Sequence, residues 1–178
     1  IFIGGGTPTL VPTSLTTAML CHCQRHLAVL PTAEITIEAN PGTISLADLC
    51  ALRLAGVNRL SLGVQSLADD ELRLLGRIHT AREALEAFRL AREAGFHNIN
   101  LDLIYGLPNQ TLGRWRETLE NVIALRPEHL SLYALTLEEG TPLIERIEAG
   151  ELPTPDDDLV ADMYETAEAL LAHADADY

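Results

Sequence analysis

The stretch Asn98-Ile99-Asn100-Leu101-Asp102-Leu103-Ile104 alternates between polar and apolar residues up to its last position. A β-strand throws successive side chains to opposite faces, so Ile99, Leu101 and Leu103 share one face and Asn98, Asn100 and Asp102 the other. Two further runs repeat the pattern. Ile35 and Ile37 stand against Thr36 and Glu38, and Leu60, Leu62 and Val64 against Ser61, Gly63 and Gln65. One face of this sheet is therefore predicted to pack on helices while the other stays polar. A doubly wound sheet covered on both faces reads as continuous apolar runs, and a closed eight-stranded barrel fills its interior with bulky branched residues. Neither fits. The pattern predicts an α/β barrel, complete or not, whose lumen is wide enough for a polar ligand.

Helices separate these strands. A helix is predicted from Thr13 to Leu30, with Leu15, Ala18, Met19, Val29 and Leu30 as its apolar positions and Pro31 as its stop. Ser45 caps a second helix that Gly56 ends, and Thr80-Ala81-Arg82-Glu83 is a capping box opening a third, ended by Gly95. In that third helix Ala84, Leu85, Phe88 and Ala91 form the expected buried stripe. Strands are predicted at 34–39, 58–65, 98–104 and 130–135, and further helices at 111–125, 142–148 and 157–173. Strand followed by helix at this spacing means parallel strands joined by right-handed crossovers.

The chain has 178 residues, 12 Lys and Arg against 26 Asp and Glu, and a formal charge of −14. Such an acidic balance disfavours a nucleic-acid partner, and no apolar run reaches the length of a membrane span. Three cysteines, Cys21, Cys23 and Cys50, form no disulfide framework and suit a reducing, cytoplasmic setting. On a helix, residues two apart point about 200° from one another, so Cys21 and Cys23 do not share a metal there. One buried thiol and one peripheral thiol are expected instead.

Candidate ligand-binding residues gather at one end of the strands. Glu38, Gln65 and Asp102 each lie at or near a C-terminal strand end, where α/β barrels place their ligands. Any one of them alone reads as a solvated strand end or a helix cap; three in matching places on successive strands do not. An opening strand, Ile1-Phe2-Ile3, leads into Gly4-Gly5-Gly6-Thr7-Pro8-Thr9. This run is neither a Walker A loop nor a dinucleotide fingerprint, because no Gly-Lys-Ser/Thr follows and Thr9 stands where the last glycine belongs. It offers backbone that a ligand can approach closely.

Five motifs in order carry a family resemblance: Gly4-Gly5-Gly6-Thr7-Pro8; Glu38-Ala39-Asn40-Pro41; Gly63-Val64-Gln65-Ser66; Leu75-Gly76-Arg77-Ile78-His79; and Asn100 through Pro108. Together they resemble the radical S-adenosylmethionine (SAM) proteins of the oxygen-independent coproporphyrinogen III oxidase group, over essentially the whole chain. His79 after Gly-Arg-Ile, and the run Leu132 to Thr141, resemble the HemW heme chaperone branch. The resemblance implies a partial (β/α)6 TIM-like barrel, residues 1–178 being a radical SAM core domain truncated at both ends. It implies SAM across the strand tops and a [4Fe–4S] cluster on three cysteines. By motif position Gly5, Gly6 and Thr7 would hold the methionyl amino group through the backbone, with Glu38 accepting from it. Arg77 would pair with the carboxylate, and Gln65 and Asp102 would bond the ribose. The other reading of Arg77 is a surface ion pair with Asp69-Asp70-Glu71.

The sequence departs from the family in one respect. The C-x3-C-x2-C cluster motif lies upstream of the glycine strand in the family, and the three cysteines here match neither its spacing nor its place. No metal ligands are therefore expected within the chain, and the stretch by itself is expected to lack reductive cleavage of SAM, the one-electron split into methionine and a 5′-deoxyadenosyl radical. The resemblance further implies heme or porphyrin as ligand, heme-accepting proteins as partners and an electron donor for the cluster. Two alternatives stand beside the heme chaperone: a coproporphyrinogen III oxidase, and a cluster-less barrel that only binds a small metabolite. Among weaker signals, His22, His26, His97, His129 and His173 read as surface or helix-end residues, and His79 as either structural or functional. Asp156-Asp157-Asp158 reads as a helix N-terminal charge run, Trp115 as peripheral packing, and Tyr105 and Tyr133 as buried packing. The terminal segment from His173 to Tyr178 is less apolar than a barrel strand should be.

Overall fold

The computed structural model describes residues 1–174. Five strands form one sheet in the order β1-β2-β3-β4-β5: β1 (Phe2–Ile3), β2 (Thr36–Ala39), β3 (Arg59–Gln65), β4 (Ile99–Tyr105) and β5 (His129–Ala134). Every neighbouring pair is parallel, so each strand returns through a helical crossover. The connections are α1 (Thr13–His26), α2 (Leu46–Leu54), α3 (Asp69–Leu74) with α4 (Ala81–Glu93), and α5 (Leu112–Ala124); α6 (Pro142–Glu148) and α7 (Asp157–His173) follow β5. The α/β architecture is a partial TIM-like barrel, as the alternation predicted.

Local chemistry explains the helix boundaries. Ser45 and Thr80 each cap a helix through a reciprocal box, with Asp48 and Glu83 reaching back to the cap backbone. Asp156 accepts from the backbone N–H groups of Asp158 and Leu159, which accounts for that charge run as a helix start. The short helix α3, absent from the sequence reading, is six residues long and lacks a side-chain cap, so it carried no start signal.

The apolar face of the sheet behaves as expected. Ile37, Leu60, Leu62, Ile99, Leu101 and Leu103 are fully buried, together with Leu20, Leu49 and Phe96 from the surrounding layer. Helix α1 differs from its prediction. It ends at His26, and it buries Thr16 and Leu20 while Leu15, Met19 and Leu30 stay exposed. In α4 the buried residues are Ala84, Ala87, Phe88 and Ala91; Leu85 faces outward. Cys21, Cys23 and Cys50 are all free and half-buried, so neither α1 thiol is the buried one expected.

Trp115 overturns its reading as peripheral. It is 0% exposed, its Nε1–H donates to the Met163 carbonyl at 2.9 Å, and Tyr105 stacks on it at 5.2 Å between ring centroids. The indole thus fastens α5 to α7 and to the end of β4. Tyr133, in contrast, is exposed. Replacing Trp115 by Ala should destabilise the protein by about 3–5 kcal/mol. Leu54→Ala, at a side chain 91% exposed, should stay within about 0.5 kcal/mol. Urea unfolding of both variants measures the contrast.

Candidate functional site

The C-terminal ends of β1 to β4 open on one polar cavity of about 300 Å³. Gly6, Thr7, Glu38, Asn40, Ser61, Gly63, Gln65, Arg77 and Asp102 are among the residues that line it. Six of the seven residues named from the sequence therefore meet at one place. The seventh, Gly5, is tied to it, because its N–H donates to Glu38 Oε2 at 3.1 Å. Gly5 and Gly6 have φ of 89° and 64°, a region that side chains rarely enter, so the run turns sharply off β1 and passes over Glu38. A Cβ on Gly63 would lie 2.8 Å from Gln65 Nε2 and 2.9 Å from Asn40 Oδ1, so only glycine leaves room for both amides.

Below Asp102 the lumen continues into a second polar space of about 330 Å³, reaching Arg59, Asn100, Ser131 and Tyr133. Asp102 is held from beneath. Ser61 Oγ donates to it at 3.1 Å and Asn100 Nδ2 at 2.7 Å, while the Asn100 oxygen accepts from Ser131 at 3.1 Å and bonds the His129 ring. His129 is exposed, as read from the sequence, and its ring reaches in to the Asn100 oxygen. Residues Ser61, Asn100 and Ser131 were not singled out as functional from the sequence, yet each shares the strand parity of the polar set. That parity was the available signal.

Electrostatics sort these groups. Burial raises the Asp102 pKa above the usual carboxylate range, against the lowering by its Ser61, Asn100 and Ser131 hydrogen bonds, and the Glu38 charge pushes it the same way as burial. Burial works against the Arg77 charge, and the Asp102 carboxylate offsets part of that cost. Arg77 makes no ion pair with the acidic α3 start; Asp70 pairs with Arg114 at 2.6 Å instead. His79 is 4% exposed, with its pKa lowered by burial and by neighbouring Arg77.

Two carboxylates, a guanidinium, amides and close-approach backbone around one cavity suit a ligand with an ammonium, a carboxylate and a diol. The comparisons with known proteins give the family. The radical SAM superfamily model matches residues 1–122. The chain belongs to the radical SAM superfamily. It is 43% identical over 98% of its length to the heme chaperone HemW of Escherichia coli (strain K12), covering 45% of that protein. It is also 43% identical to the mitochondrial radical S-adenosyl methionine domain-containing protein 1 of Bos taurus, covering 98% of this chain and 39% of that one. The structure of coproporphyrinogen III oxidase (HemN) from Escherichia coli superposes with a TM-score of 0.85 at 33% identity, over 97% of this chain and 40% of the oxidase. The chain thus spans less than half the length of the relatives it matches.

The family's two cofactors fare differently against the residues present. SAM fits the donor set just described. A [4Fe–4S] cluster does not, for no group of three His, Cys, Asp or Glu among the described residues is placed to hold a metal.

The buried carboxyl yields a pH-dependent outcome. A raised folded-state pKa means that Asp102 favours folding while protonated, and that this contribution is lost as pH rises through the folded pKa. Asp102→Asn should therefore raise Tm by about 2 °C at pH 7, with the gain vanishing below about pH 4, where the unfolded carboxyl is also protonated. Scanning calorimetry at both pH values checks the sign.

Proposed function

We propose that this chain forms the SAM-binding core of a heme chaperone of the HemW type. The observation that carries the reading is the convergence of Gly6, Thr7, Glu38, Gln65, Arg77 and Asp102 on one cavity. Each has a chemical counterpart in SAM. Glu38, already fixed by the Gly5 N–H, presents a carboxylate to the methionyl ammonium, and the backbone of Gly5, Gly6 and Thr7 offers carbonyls for its remaining protons. Arg77 presents a planar, always-charged fork to the ligand carboxylate. Asp102 and Gln65, on the neighbouring strands β4 and β3, both line the cavity and offer hydrogen-bond partners to a ribose diol. When bound beside a reduced iron–sulfur cluster, SAM supplies one-electron chemistry that protein side chains cannot. The residues of this chain orient the ligand, neutralise its charges and keep water from its reacting end.

The heme-chaperone assignment rests on the 43% identity to HemW over 98% of this chain. Residues 1–178 are then a core domain within a longer protein, whose other parts would supply the cluster ligands. Its ligand would be heme, its partners heme-accepting proteins and an electron donor, and its compartment the cytoplasm. No helix among the described residues is long and apolar enough to cross a membrane. Oxygen-independent coproporphyrinogen III oxidase is the second reading, favoured by the close superposition on HemN. Heme titration and porphyrinogen turnover by the full-length, cluster-loaded protein separate the two. Stoichiometric heme binding without turnover is the expected result.

The SAM assignment has its own test. Glu38→Gln, Gln65→Ala and Asp102→Ala in the full-length protein should each weaken SAM binding about tenfold, the loss of one hydrogen bond to a charged or buried partner, ~1.4 kcal/mol. Isothermal calorimetry measures it, and unchanged affinity in all three variants defeats the assignment.

A further inference from the structure

Gln65 occupies an unusual backbone position. Its φ is 68°, in the left-handed region that a residue with a Cβ seldom enters. The Ser66 N–H donates to the Val64 carbonyl at 2.9 Å across it, closing a three-residue turn with Gln65 at the centre. A γ-turn with positive central φ is rare and strained. The register between β3 and β4 slips at the same point, since Leu62 pairs with Leu101 but Gln65 with Leu103. Strain of this kind persists only where the surroundings over-determine it.

Both flanks of the turn are pinned. Upstream, the Val64 carbonyl that closes the turn also lies 3.2 Å from His79 Nε2. A carbonyl only accepts, so Nε2 carries the proton of this bond. Downstream, Ser66 Oγ accepts from the Ala68 N–H at 3.0 Å and donates to the buried Glu71 carboxylate. Glu71 accepts in turn from Gln110 Nε2 at 3.2 Å, whose oxygen holds the Gly106 N–H at 2.8 Å. The segment around His79 sends its side chains different ways: Arg77 lines the cavity, Ile78 is exposed, and His79 is buried against the turn.

We propose that His79 is a positioning residue for Gln65, holding the Val64 carbonyl so that the strained turn aims the Gln65 amide into the lumen. The proposal deepens the SAM-site reading and rests on it for the ligand. Its geometric half does not depend on the ligand.

The test uses the full-length, cluster-loaded protein carrying His79→Phe, which keeps a planar ring and loses the donor, and His79→Gln, which keeps an N–H. Each is made with Gln65 present and in a Gln65→Ala background. With Gln65 present, His79→Phe should weaken SAM binding about tenfold, while His79→Gln stays within about threefold of wild type. In the Gln65→Ala background His79→Phe should change affinity by less than about twofold. Without ligand, exchange of the Ser66 amide should quicken at least about tenfold in His79→Phe. Equal weakening in both backgrounds, or unchanged affinity in His79→Phe, overturns the positioning role. Wild-type protein that does not bind SAM sinks the SAM reading and the role with it. Unchanged Ser66 exchange with wild-type SAM binding intact sinks the turn alone.

Discussion

Strict two-residue alternation in parallel strands is the constraint on which everything else depends. Successive side chains on β3 and β4 point to opposite faces, so burying Leu60, Leu62, Leu101 and Leu103 places Ser61, Gly63, Asn100 and Asp102 on the lumen side. A shift of one residue would exchange the two sets and put a carboxylate under the helices. The apolar set therefore selects the register, and the register places the polar set in the lumen. Core and site are two consequences of one pattern.

Within the lumen, position along the strand sorts function. At the floor, Asn100 links Ser61, Ser131, His129 and Asp102, leaving the amide without free hydrogen-bonding capacity. At the mouth, Glu38, Gln65, Arg77 and Asp102 retain capacity for a ligand. Placing a guanidinium and two carboxylates around a partly buried cavity is costly in the ligand-free protein. The opposite displacements of the Asp102 and Arg77 pKa values by burial reflect that cost. A ligand of matching charges offsets it, which is how such a site gains affinity from groups that do little for the fold.

Packing decided several matters that local pattern leaves open. Trp115 stands alone as an aromatic on an amphipathic helix, and its burial depends on α7, a helix that follows it by about 40 residues of chain. Leu15 and Met19 are exposed because α1 turns Thr16 and Leu20 toward the sheet. An apolar residue near a helix face is a poor guide to burial when its neighbours in the fold are distant in sequence. Leu85 illustrates the same point, since it is exposed while Ala84, Phe88 and Ala91 of the same helix join the core.

The sequence by itself determined the strands, their polar and apolar faces, the helix caps at Ser45 and Thr80, and the shared polar face of Glu38, Gln65 and Asp102, although Asp102 lies in the middle of β4 and not at its end. These follow from period and from hydrogen bonds spanning a few residues, so they are legible locally. Tertiary structure alone decided between the two readings of Arg77, turning it into the cavity and leaving the acidic start of α3 to Arg114, and it decided that Ser61 and Asn100 hold Asp102. It also decided that His79 meets the Val64 carbonyl across a strained turn. Each of those contacts joins residues from different elements, and the backbone geometry that brings them together, above all the positive φ of Gln65, has no signature in the residue types that adopt it.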